Sequence, residues 1–106
     1  MTPPIKNLLE NSRPSSADED FLTLVQAANV RVERIVSNGQ SSPRDFWYDQ
    51  PEKEWVLLLK GTAILQFEKN GTVSLKAGDY LLIASHIKHR VEAASSDAVW
   101  LAVHFG

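Results

Sequence analysis

Apolar and polar residues alternate along most of this chain with the two-residue period of β-strands. In NVRVERIVS, Val30, Val32 and Arg34 share one face, and Arg31, Glu33 and Ile35 share the other. β-Branched residues dominate the stretch, as strands prefer. In EWVLLLKG, Glu54, Val56 and Leu58 lie on one face and Trp55, Leu57 and Leu59 on the opposite one, so a carboxylate heads an otherwise apolar face. Gly61 turns the chain into TAILQFEK, which sets Ala63, Leu65 and Phe67 against polar or mixed partners. Asn70-Gly71 is a strong hairpin signal, since both residues tolerate positive φ, and TVSLKAG returns as the next strand. Gly78-Asp79 turns the chain into YLLIAS. KHRVEAA then places His89 beside Val91, with Arg90 and Glu92 opposite. AVWLAVHF closes the chain, with Leu101, Val103 and Phe105 opposing Trp100, Ala102 and His104.

The segment SADEDFLTLVQAAN fits two templates. Ser16 and Glu19 stand at capping-box spacing, which favours a helix start. Phe21, Thr23 and Val25 against Leu22 and Leu24 fit a strand, and the β character of everything downstream favours that reading. Residues 1–20, with Pro3, Pro4, Pro14 and SSADED, read as an N-terminal arm or loop in which KNLLE pairs with a sheet edge. Residues 21–106 read as one β domain, with SNGQSSPRD as an internal loop. About eight short strands at regular spacing, with no long helix, predict a β-sandwich or barrel. Several strands are apolar on both faces and need a cover outside the sheet. The N-terminal strand or a second subunit would supply it, and a homodimer is the expected solution.

Composition narrows the function classes. The 106 residues suit one domain, and 43% hydrophobic residues supply a core. A net charge of −2 without a basic stripe argues against nucleic acid. No apolar run approaches the roughly 18 residues of a membrane span. The start MTPPIKNLLEN lacks the apolar core of a secretory signal, so the cytoplasm is the expected compartment. The absence of cysteine excludes disulfides, thiolate metal sites and cysteine nucleophiles. Asn70-Gly71-Thr72 fits the glycosylation acceptor pattern, but its turn chemistry accounts for it as a hairpin.

Few residues are left to carry chemistry. A buried, ionised and unpaired Glu54 would cost several kcal/mol. It must meet an arginine, a hydrogen-bond donor, a metal or water, or else sit half-solvated at a rim. A histidine on an apolar face is ordinarily a hydrogen-bonded core residue. His89, however, has Glu54 and Asp49 as candidate companions across a barrel, and one nitrogen with two oxygens can hold a divalent ion. His86 reads as a turn residue that lines the mouth of the same cavity or is solvated. His104 reads as a buried structural histidine.

EWVLLLKGTAILQF and KAGDYLLIASHIKHRVEA together resemble the two sequence blocks of the cupins, over about residues 30–105. Glu54 and Gly61 match the E-x6-G part of the first block. Gly78 and His89 match the second block, G-x5-P-x-G-x2-H-x3-N, at its spacing. The resemblance implies an all-β, jelly-roll (double-stranded β-helix) barrel in a single domain. It also implies a divalent metal held by Glu54 and His89. Where the family has its two first-block histidines this chain has Trp47 and Asp49, so only Asp49 can stand in as a ligand. Ala84, His86 and Ala93 replace the proline, the second glycine and the asparagine. His86 is an additional metal candidate from position alone. An oxygen-rich set of this kind suits Mn, Fe or Mg, with Zn also within its range.

The resemblance implies isomerase, dioxygenase or decarboxylase activity on a small sugar or organic acid. The alternatives are a non-catalytic module binding a small ligand among Phe46, Trp47, Tyr48 and Trp55, and a structural dimer without metal.

Overall fold

In a computed structural model, residues 2–11, 19–37, 39 and 41–106 are described. The helix start at Ser16 lies outside them. Eight strands follow one another: β1 (Asp20–Ala27), β2 (Val30–Val36), β3 (Lys53–Lys60), β4 (Thr62–Phe67), β5 (Gly71–Lys76), β6 (Tyr80–Ile83), β7 (His89–Ala94) and β8 (Val99–Phe105). They form two antiparallel sheets, one ordered β1-β2-β8-β3-β6 and the other β5-β4-β7. This is the all-β architecture that the strand pattern predicts, in the jelly-roll form that the family resemblance implies. Among the described residues no helix is long and apolar enough to cross a membrane.

The core lies between the sheets. Val56 and Leu58 of β3, Ala63 and Leu65 of β4, Leu75 of β5, Ile83 of β6 and Trp100 and Ala102 of β8 meet there. Each belongs to the face that alternation assigns, because a two-residue period sends every second side chain to the same side. Leu58 is fully buried, and such a leucine contributes about 2 kcal/mol from its apolar surface.

Three turns position the site. At Gly61 the chain leaves one sheet and enters the other, with φ of +86°. The following Thr62 N–H donates to Ser95 Oγ at 3.0 Å, so the 95–98 loop packs directly on this corner. At the β4–β5 hairpin the loop spans Glu68–Asn70, and only Gly71, at φ +80°, takes the positive value expected of both Asn70 and Gly71. Gly78-Asp79 closes onto β3: Gly78 N donates to Leu58 O and Leu58 N to Asp79 O. The Lys76 backbone N–H donates to the Asp79 carboxylate, which holds that carboxyl below its usual range.

The arm differs from expectation. KNLLE does not pair with a sheet edge. Leu9 N donates to Asn7 Oδ1, making a local turn. Arg34 Nη1 donates to the carbonyls of Leu8 and Glu10, both at 3.1 Å, and Nη2 to that of Asn11 at 3.4 Å. A planar guanidinium fork suits this grip on successive carbonyls better than a backbone ladder would.

Candidate functional site

A cavity of about 320 Å³ lies between the two sheets. Its apolar wall is made by Ile35, Val56, Leu65, Ile83, Val91 and Trp100. Its polar wall is made by Glu33, Tyr48, Gln50, Glu54, His89 and His104, with Glu19, Phe21 and Arg31 completing the lining.

Strand register brings the polar groups together. Glu54 at the start of β3 pairs directly with His104 on β8, and His104 pairs in turn with Arg31 on β2. Residues paired across strands point to the same face, so Arg31, Glu33 and Ile35 line the same side as Trp100, Ala102 and His104. His89 arrives from the opposite sheet. The segment FWYDQ runs beside β7, where Tyr48 and His89 exchange backbone hydrogen bonds of 2.7 and 3.1 Å. That exchange stacks the Tyr48 ring on the imidazole, with centroids 5.5 Å apart and planes 26° apart.

Glu54 is the hub of the cluster and only 8% exposed; His89 and His104 are 6% and 5% exposed. Glu54 Oε1 lies 3.3 Å from His89 Nε2 and accepts a 3.1 Å hydrogen bond from Gln50 Nε2. Its Oε2 lies 3.6 Å from His104 Nε2, which also donates to Glu33 Oε1 at 3.0 Å. Arg31 Nε approaches the other Glu33 oxygen at 3.6 Å. His89 Nδ1 donates to the Ile87 carbonyl at 2.9 Å. Both His89 nitrogens therefore face acceptors, an arrangement that favours the imidazolium. The carboxylate that heads an apolar face has thus found its partners: two imidazoles and an amide.

The titration of the cluster follows from these contacts. Burial pushes the Glu54 carboxyl up, but the hydrogen bonds from His89 and Gln50 and the charge of both imidazoles outweigh it, leaving it below the usual range. For His89, burial pushes down, while the Glu54 and Ile87 bonds and the Glu54 charge prevail and raise it. Tyr48 is raised by burial and then by the charges of Glu19, Glu54 and Glu33; Glu19 is raised by burial.

The other sequence candidates lie elsewhere. Asp49 and His86 do not join Glu54 and His89. They meet each other near the surface, with His86 Nδ1 2.8 Å from Asp49 Oδ1 and both side chains exposed. His86 sits in a turn at φ +60°, its backbone N–H donates to the Gln50 carbonyl, and it is not among the residues lining the cavity. Of the four ligand-pocket aromatics only Tyr48 lines the cavity. Phe46 packs edge-on against it at 4.9 Å, and Trp47 is not among the lining residues. Trp55 faces the opposite side of β3, against Tyr80.

Glu33 and His104 were not singled out as ligand-facing. Alternation groups Arg31, Glu33 and Ile35 on one face, but it does not say that this face looks inward.

Among the described residues no three His, Asp or Glu side chains converge in a way that could hold a metal ion. In this geometry the side chains are paired with one another instead. Each Glu54 oxygen faces a different imidazole, His104 Nε2 also lies 3.0 Å from Glu33 Oε1, and Asp49 pairs with His86. Trp47 offers no ligating atom. As arranged, Glu54, His89 and His104 form an ion-paired network.

A family model described as a cupin domain matches residues 32–104. A structure from Ralstonia eutropha JMP134, provisionally named a mannose-6-phosphate isomerase, is 38% identical, with a TM-score of 0.89 over 96% of this chain and 98% of that one. A cupin superfamily protein from Desulfitobacterium hafniense DCB-2 is 18% identical, with a TM-score of 0.78 over 96% of this chain and 93% of that one. An RmlC-like cupin with a double-stranded β-helix fold from Methanocaldococcus jannaschii is 17% identical, with a TM-score of 0.68 over 89% and 84%. At that identity the last two show the fold alone. No curated protein matches the sequence.

Proposed function

The chain belongs to the cupin family, and from that premise we propose that its cavity binds a small, non-phosphorylated organic molecule and moves a proton on it, as an isomerase does. The observation supporting this reading is the Glu54 carboxylate held between His89 and His104 on the wall of a largely apolar cavity. An ionised carboxylate takes a proton from a substrate carbon or hydroxyl, and the adjacent imidazolium returns one. Apolar walls exclude water and strengthen both steps. About 320 Å³ lies at the lower end of the small-molecule range.

The charge lining the cavity limits the ligand class. The R. eutropha relative is named for a sugar phosphate. Here a phosphate would enter beside Glu19, Glu33 and Glu54, and the guanidinium of Arg31 already faces Glu33. A neutral carbonyl or hydroxyl compound meets no such repulsion. The carboxylate substrate of a decarboxylase would meet it too. The stacked Tyr48–His89 pair favours a second reading, a module that binds a planar ligand without reaction.

Thermal-shift screening, elemental analysis and exchange with deuterated water test the proposal together. Neutral carbonyl compounds and polyols are expected to raise the melting temperature, through preferential binding to the native state, and phosphorylated sugars to leave it unchanged. Bound neutral ligand is expected to take up solvent deuterium, with Glu54→Gln slowing uptake by about 100-fold or more. Purified protein is expected to hold no stoichiometric metal. Binding without deuterium uptake favours the second reading. A stoichiometric divalent ion that is lost in Glu54→Gln overturns the proton-network reading.

A further inference from the structure

Three carboxylates line the cavity, those of Glu19, Glu33 and Glu54. Two of them are matched. Glu54 has His89 and Gln50, and Glu33 has His104 and Arg31. Among the described residues no ion pair or hydrogen bond reaches the half-buried Glu19 carboxylate, and burial alone acts on its titration. Arg31, the guanidinium in the lining, does not serve it. That side chain is turned to Glu33, and its register partner on β1 is Gln26, at the opposite end of the strand from Glu19. Aromatic surface stands near Glu19 instead. Phe21, two residues on, lines the cavity and is 56% exposed, so core packing does not use up its ring. Tyr48 feels the charge of Glu19 more than that of Glu54 or Glu33, which sets the phenol towards this end of the cavity.

We propose that the cavity takes a small organic amine, with its ammonium group on Glu19 and its hydroxyl or carbonyl groups towards Glu54 and His89. On the reading of the Glu54 wall as the reacting end, on which this assignment rests, the Glu19 contact orients the ligand against the base. An ionised carboxylate taken out of water without a partner is costly. A ligand ammonium removes that cost and makes a charge-assisted hydrogen bond, roughly twice as strong as a neutral one. The Phe21 and Tyr48 rings favour the same charge, because the quadrupole of an aromatic face attracts a cation. A phosphate or carboxylate ligand meets repulsion at the place where an ammonium is held. A metal ion is poorly served there. Hard cations take about six or more oxygen donors, and Glu19 brings one carboxylate among rings and aliphatic walls. The cavity of about 320 Å³ has room for an amino alcohol or an amino sugar.

Amide-detected NMR titration of nitrogen-labelled protein with serinol and with glycerol, at one ionic strength, tests the assignment. The two probes differ only in an ammonium for a hydroxyl. Serinol is expected to bind about tenfold tighter than glycerol and to shift the amides of Glu19, Phe21 and Tyr48. In Glu19→Gln the two affinities are expected to become equal. In Phe21→Leu the preference is expected to drop about threefold. It is expected to persist in Glu68→Gln, which removes an exposed carboxylate outside the cavity. The same spectra report whether each variant is folded. Equal affinities in the wild type overturn the inference, as do a preference that survives Glu19→Gln and a serinol effect matched by ammonium chloride. So does a wild type that shows no shift with serinol at about 100 mM. Solvent deuterium uptake by a neutral ligand alongside such a result leaves the proton-transfer reading standing. A serinol preference without uptake by any carbonyl ligand keeps the amine site and overturns that reading instead.

Discussion

Replacing Gly61 by alanine is expected to destabilise the protein by about 3 kcal/mol, enough to lower the melting temperature by roughly 15 °C. Two costs add. At φ +86° an alanine side chain is strained. Its Cβ would also stand 2.9 Å from Ala98 Cα and 2.9 Å from Asp97 Oδ1, and against Ser95 Oγ. The serine hydroxyl can rotate away only by giving up its bonds with the Thr62 N–H and the Asp97 carboxylate; the Ala98 backbone cannot move without shifting Ala98 and Val99, both fully buried. Gly71→Ala supplies the control. Gly71 has a similar φ of +80°, but nothing lies within 4 Å of its missing Cβ. It should lose only about 1 kcal/mol. Thermal denaturation of both variants separates strain from overlap, and equal losses would show that the 95–98 loop does not press on the corner.

Replacing Glu54 by alanine is expected to cost about 3 kcal/mol near pH 5.5, because it strands a buried imidazolium. His89 Nε2 and Gln50 Nε2 lose their acceptor, while His104 keeps Glu33. The pH dependence has a definite shape. Glu54 is lowered in the fold, so its contribution is full above the unfolded carboxyl value of about 4.5 and is lost as pH falls through the folded value. His89 is raised, so its contribution is full below the unfolded imidazole value of about 6.5 and is lost as pH rises through the folded value. The stability difference between wild type and Glu54→Ala should therefore peak between about pH 4.5 and 6.5 and shrink on both sides. Urea titrations at closely spaced pH values read this directly. A difference that keeps growing towards pH 9 would mean that His89 is not the cation Glu54 serves.

Particular residues show how far the chain could be read unfolded. Glu54, Val56 and Leu58 share a buried face because alternation is a local property of the backbone. The E-x6-G spacing from Glu54 to Gly61 and the spacing from Gly78 to His89 identified the family fold and the two residues that meet at 3.3 Å. Asp49 and His86 were misplaced because both lie outside the strands, where alternation assigns no side. Their direction follows from the Tyr48–His89 bridge and the left-handed turn at His86. Trp55 was drawn towards the ligand by its chemistry, although its parity, opposite to that of Glu54, already placed it on the outer face.

By itself the sequence determined the strands, the two faces of each strand, the corner at Gly61 and the pairing candidates Glu54 and His89. Only the tertiary structure decided which face of β2 and β8 looks inward, and so brought Glu33 and His104 to Glu54. Periodicity says which side chains go together; it carries no sign for in or out when both faces are apolar or mixed. That sign comes from the register of neighbouring strands and from the second sheet closing over one side.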